Sequence, residues 1–146
     1  MVSTNQPDLI HRAQKFCEAS KYRFTAPRAR VLSLLADCNA PMSAYQMLAS
    51  LSSGKATISP PTVYRAIEFW NKHGFIHRIA SMNAYIACCG HKQHENACIF
   101  ICNTCHAVLE LTMQQLPPPV VSAIASKHLT VTGSTTEIYG KCAQCH

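Results

Sequence analysis

The stretch SPPTVYRAIEFWNKHGFIHRIASMNAYIAC, residues 59–88, decides the fold. Its first half carries prolines at the entry, where a missing N–H costs nothing, and Gly74 at the point where a helix would stop. Between them Ala66, Ile67, Phe69 and Trp70 fall at helical spacing and should face inward. Beyond Gly74 the period drops to two, and FIHRIASMNAYIAC reads as a hairpin with its turn near Ser81–Ala84. A two-residue loop at Met82–Asn83 would pair Ser81 with Ala84, and counting outward sets His77 opposite Cys88.

Upstream of this stretch the chain reads as helices. Residues 8–20 place Leu9, Ala13, Phe16, Cys17 and Ser20 in a narrow apolar stripe. Thr25 is an N-cap for a helix over 26–37, whose buried face is Val31, Leu32, Leu34 and Leu35. Ser43 and Gln46 form an S-x-x-Q capping box that opens a short helix over 44–52. Short helices followed by a hairpin are the order of a winged helix-turn-helix, in which the helix before the wing enters the major groove of DNA. Here that helix spans about 61–73, and its polar residues near the start are Thr62, Tyr64 and Arg65. Arginine reads guanine through O6 and N7 for roughly 1–3 kcal/mol of discrimination, although Arg65 could equally touch only phosphate or solvent.

Charge divides the chain in the same place. Residues 1–87 carry ten Lys and Arg against four Asp and Glu, whereas residues 88–146 carry three of each. A basic first half suits a polyanionic partner such as double-stranded DNA. No apolar run approaches the roughly 18 residues of a membrane span, and MVSTNQPDLIHR lacks the pattern of a signal peptide. The cytoplasm is therefore the expected compartment, where nine cysteines serve better as thiols and metal ligands than as disulfides.

Residues 88–96 (CCGHKQHEN) read as a linker, and 97–146 as a second module with strands at 97–102, 107–112 and 129–140 and a helix at 119–127. About 50 residues bury too little apolar surface to be stable alone, so this module needs a metal, a partner chain, or both. FICNTC supplies Cys102 and Cys105, and the closing KCAQCH supplies Cys142 and Cys145. Two C-x-x-C pairs beside strand ends are the ligand set of a tetrahedral structural zinc. The intervening 36 residues leave room for a strand–helix–strand excursion, so the metal would clip the last strand onto the first hairpin. A second constellation lies at the module junction. His77 and Cys88 share the hairpin, His91 and His94 follow in the linker, and Glu110 alternates with Leu109 and Leu111 away from the core face. Thiolate with imidazole favours zinc over magnesium, calcium or manganese. A one-residue shift of hairpin register would exchange Cys89 for Cys88, and a cross-strand His beside a small buried Cys is also ordinary packing.

Together these residues resemble the ferric uptake regulator family, most closely its zinc-sensing branch. The motifs are SAYQML (43–48), PPTVYRAIEFW (60–70), GFIHRI (74–79), the strand leading to Cys88, FICNTC (100–105) and CAQC (142–145). The resemblance implies an α+β chain with a winged-helix DNA-binding domain over 1–87, a hinge over 88–96 and a zinc-clipped dimerisation domain over 97–146. It implies a bacterial, homodimeric repressor that binds operator DNA when loaded with zinc and shuts off zinc-uptake genes. Tyr45 and Arg65 match its operator contacts. Cys102, Cys105, Cys142 and Cys145 match its structural zinc ligands, and His77, Cys88, His94 and Glu110 its regulatory ligands, giving two zinc ions per chain. The sequence departs from the family pattern at His106, where glycine is common, and lacks the His-rich cluster of the iron-sensing branch. The competing expectations are a sensor of iron or peroxide and a zinc or thiol enzyme.

Overall fold

The computed structural model describes residues 6–38, 40–54, 56–88, 96–113 and 115–146. The chain divides into two compact units, Met1–Gly90 and His91–His146, so the division falls inside the stretch read as a linker.

In the first unit, α1 (Gln6–Ala19) buries Leu9, Ala13 and Cys17. Ser20, placed on that stripe by its spacing, is exposed, because the helix stops at Ala19 and the backbone turns through Lys21 at φ 58°. The second helix, α2 (Ala26–Asp37), follows an extended Thr25 whose side chain makes no capping bond. Pro27 sits in its first turn, and Val31, Leu32, Leu35 and Ala36 are buried, with Leu34 at the margin. At α3 (Ala44–Ser52) the capping box is complete: Gln46 N–H donates to Ser43 Oγ (3.1 Å) and Ser43 N–H to Gln46 Oε1 (2.8 Å). The far end of α3 is held by Arg30, which donates to the Leu51 carbonyl (3.0 Å) and the Ala56 carbonyl (2.7 Å).

α4 (Pro60–Lys72) turns Val63, Ala66, Ile67 and Trp70 into the core. Trp70 is fully buried, and its indole N–H donates to the Arg28 carbonyl at 2.8 Å, so its one polar atom is satisfied. Arg28 itself lies 3.5 Å over the Phe69 ring and donates to the Arg23 carbonyl at 2.6 Å. Together these contacts fix the start of α2 and the loop before it against α4.

The wing is β1 (Ile76–Ile79) paired antiparallel with β2 (Ala84–Ala87). Its register differs from the expected one. Ile79 pairs with Ala84, so the loop has four residues rather than two, and His77 stands opposite Ile86 instead of Cys88. The cause is a 3-10 turn at Ala80–Met82 closed by Asn83, whose N–H donates to the Ala80 carbonyl at 3.2 Å. Asn83 adopts φ 46°, a left-handed conformation that asparagine tolerates better than most residues. Met42 and Tyr85 exchange both backbone hydrogen bonds, adding a one-residue bridge from the start of α3 to the wing.

The second unit is a three-stranded sheet of β3 (Asn96–Cys102), β4 (Val108–Thr112) and β5 (Ser134–Gly140), in the order β4-β3-β5. β4 is antiparallel to β3, and β5 returns parallel to β3 after α5 (Pro118–Ser126). The last strand starts at Ser134 rather than 129, because β3 begins at Asn96, the partner of Ser134. Upstream of that point β5 has no partner among the described residues. Ile99 is buried on one sheet face, yet Leu111, Val120, Val121, Leu129, Val131, Ile138 and Tyr139 each stay more than 40% exposed. Among the described residues no helix is long and apolar enough to cross a membrane.

Candidate metal centre and nucleic-acid interface

The parallel pairing of β3 with β5 builds the first centre. Cys102 is level with Gly140, so both strands end at the same edge and both C-x-x-C pairs emerge there. Asn103 N–H donates to the Gly140 carbonyl at 2.8 Å, and Cys142 N–H to Cys102 Sγ at 3.4 Å. The close approach depends on Gly140, where an added Cβ would stand 3.1 Å from the Phe100 ring. The sulfurs of Cys102, Cys105, Cys142 and Cys145 all lie within 4.8 Å of one another, with Cys105 and Cys142 3.6 Å apart.

These distances fit zinc. Sulfurs about 2.3 Å from a tetrahedral zinc stand about 3.8 Å from each other, so little movement would close the shell. Electrostatics point the same way. The backbone N–H groups of Cys105 and Cys142 hold Cys102 down to about 5, whereas hydrogen bonding with the Cys142 and Cys105 side chains pushes Cys145 up to about 12. The Ala107 N–H pulls Cys105 down, but the Cys102 and Cys142 sulfurs push it up on balance. A divalent cation stabilises thiolates in place of protons, so sulfurs crowded this closely suit one.

His106 closes the Cys102–Cys105 turn at φ 58°, with its N–H donated to the Cys102 carbonyl at 3.0 Å. This explains the departure noted at that position: the turn needs a left-handed residue, and histidine adopts that conformation at a cost of about 1–2 kcal/mol. Glycine avoids that cost but loses about 0.4–1 kcal/mol more entropy on folding. His106→Gly should therefore raise the stability of the zinc-loaded protein by about 0.5–1 kcal/mol, read as a higher urea midpoint at unchanged slope.

The wing supplies a second pair of donors. Cys88 is two residues beyond the position opposite His77 on the same face, and an imidazole nitrogen and the Cys88 sulfur lie within 4.8 Å of each other. Both residues are buried. The expected juxtaposition therefore survives the register correction, as a diagonal pair. Glu110 lies half-buried on β4, paired with Ile99. Cys89, His91 and His94 lie outside the described residues.

The residues expected to meet DNA are on α3 and α4. Tyr45, in the first turn of α3, is 76% exposed, and Tyr64 and Arg65 are exposed on α4. Thr62 is half-buried, its hydroxyl 2.8 Å from that of Ser59. Of the cations at 21, 23, 28 and 30, each of which the sequence leaves open as a phosphate contact or ordinary solvated surface, Arg30 secures α3 and Arg28 secures the loop, while Lys21 and Arg23 remain exposed. Spacing alone did not separate these roles, because the partners of Arg28 and Arg30 are distant in sequence or are backbone carbonyls. His73 packs among Phe16, Tyr22 and Phe69, and burial, then Lys72 and Arg28, lowers its pKa. Cys17 is core, its thiol pushed up by burial, and Cys98 is buried in β3.

The family model described as the ferric uptake regulator family matches residues 19–139. The chain belongs to the ferric uptake regulator family. Within it, the chain is 33% identical over 147 residues to the zinc uptake regulation protein of Escherichia coli strain K12, covering 99% of this chain and 85% of that one. It is 30% identical, at a TM-score of 0.85, to a zinc uptake regulator complexed with zinc and DNA, covering 97% of this chain and 95% of the other. It is also 31% identical to holo XcZur, at a TM-score of 0.82, covering 94% and 96%. Membership of a regulator family sets aside the reading as a zinc or thiol enzyme.

Proposed function

We propose that this protein is a cytoplasmic bacterial repressor that binds operator DNA as a zinc-loaded homodimer and shuts off genes of zinc uptake. The observation that carries the reading is its likeness, over nearly the whole length of both chains, to a zinc uptake regulator complexed with zinc and DNA. Each chain takes two zinc ions. One sits among Cys102, Cys105, Cys142 and Cys145 and holds the second unit together. The other binds reversibly to His77, Cys88, His94 and Glu110, from the winged-helix domain (1–87), the hinge (88–96) and the dimerisation domain (97–146). The buried thiolate and imidazole of Cys88 and His77 favour zinc over harder cations and support zinc as the signal.

Homodimerisation is supported by the apolar residues that the second unit leaves exposed on α5, β5 and the segment between them. In the dimer, two α4 helices about 34–36 Å apart enter successive major grooves. Arg65 and Tyr45 read bases, with Thr62 and Tyr64 beside them. The second zinc, by tying wing to dimerisation domain, fixes that spacing. The test combines elemental analysis with DNA binding. Purified protein should hold two zinc ions per chain, lose one to a mild chelator with its helix content intact, and lose operator binding with it. Operator binding indifferent to the second zinc would overturn the reading.

A further inference from the structure

The first unit carries a cleft of about 360 Å³ in which Lys21 and Arg23 from the α1–α2 loop and Arg28 from the first turn of α2 meet Arg65 from α4, with Thr25 and Thr62 among the lining residues. No carboxylate is among its described lining residues. Four cations line it, so the cleft presents a positive potential that favours an anion.

Local structure holds them in place. Arg28 spends its guanidinium on the Arg23 carbonyl and the Phe69 ring, so it braces the loop against α4. Lys21 sits in a left-handed turn at φ 58°, tied by the Lys21 N–H to the Glu18 carbonyl at 3.3 Å, and Tyr22 N–H bonds the Cys17 carbonyl at 2.8 Å. Their side chains remain exposed, as does Arg23. A cleft this open to solvent cannot desolvate a small free anion well. A phosphate already held near α4 as part of a bound polymer gains from proximity instead.

The geometry points to this cleft as the seat of one backbone phosphate of the bound duplex, gripped by Lys21 and Arg23 on a loop that Arg28 positions. This rests on the DNA-binding function proposed above and adds a contact that carries no sequence information. Arg65, shared by cleft and groove, then has its guanidinium next to the anchored strand, so the seat sets the register of α4 on the duplex.

The test is binding of zinc-loaded full-length protein to operator and unrelated duplexes across a salt series. Lys21→Gln, and separately Arg23→Gln, should each lower the slope of log affinity against log salt by about two per dimer, one contact being lost from each protomer. Both duplexes should weaken by the same factor, leaving the preference ratio unchanged. Scanning the operator with neutral methylphosphonate linkages placed in symmetric pairs, one per half-site, should find one pair of positions at which the penalty of Lys21→Gln disappears, the signature of a direct pair. An unchanged slope in both variants, with wild-type binding intact, overturns the seat and leaves the function standing. A collapsed preference ratio also overturns it, since the cleft would then read bases. Wild-type protein that binds no duplex in zinc overturns the function, and the seat with it.

Discussion

Cys102→Ser should strip zinc from the second unit and unfold it, while the first unit keeps its helices. Zinc sites of this kind contribute apparent free energies of order 10–16 kcal/mol at neutral pH. Among the described residues of the unit His91–His146, the buried hydrophobic side chains are Ala97, Cys98, Ile99, Ile101 and Cys102, all on β3. A core that small yields at most a few kcal/mol, so a zinc bound there would supply most of the unit's stability. The first unit differs, with Leu9, Leu32, Leu35, Met47, Ile67 and Trp70 fully buried in one cluster. Circular dichroism should keep the helical signal and lose the sheet, and gel filtration should report monomers. Cys98→Ala is the control. It removes a buried sulfur from the same strand, costs about 1 kcal/mol, and should leave the zinc in place. A Cys102→Ser protein that stays folded and dimeric would show that the four-sulfur cluster is dispensable.

Legibility varied with the range of the interactions involved. The capping box at Ser43 and Gln46 and the helix of Trp70 were readable because their partners lie within one or two turns. The four-cysteine set was readable for another reason: spacing C-x-x-C twice leaves few alternatives, and the strand register that joins the pairs did not have to be known. Register itself was the weak point. Met82–Asn83 between alternating runs implies a two-residue wing loop, but Ala80–Met82 gain a 3-10 turn that spacing does not reveal. The start of β5 was missed because it is set by where β3 begins, 38 residues earlier at Asn96. The cleft of Lys21, Arg23, Arg28 and Arg65 was invisible for the same reason, since it exists only when the loop is folded onto α4.

The second large effect concerns the signal rather than the scaffold. Cys88→Ser should hold one zinc per chain instead of two, stay folded and dimeric, and bind operator only as weakly as metal-free wild type. Cys88 follows β2, its N–H donated to the Phe75 carbonyl at 2.9 Å, and a serine keeps that bond and nearly the same volume. What changes is the ligand, because a hydroxyl near neutral pH is a poor zinc donor where a thiolate is a strong one. Moving the protein from about 1% to 99% competent requires zinc to prefer the competent form by about 10⁴-fold, roughly 5.5 kcal/mol. Losing the site should therefore cost operator affinity up to about 100-fold at saturating zinc. Linkage requires the reverse effect as well: operator DNA should tighten the second zinc of wild type by the same factor and leave the four-cysteine zinc untouched. Glu110→Gln should reproduce the phenotype, and combining it with Cys88→Ser should add little, because ligands of one ion fail together. Full zinc-dependent binding by Cys88→Ser would sink the regulatory assignment while sparing the structural one. Loss of both zinc ions would instead mean that the two sites are not independent.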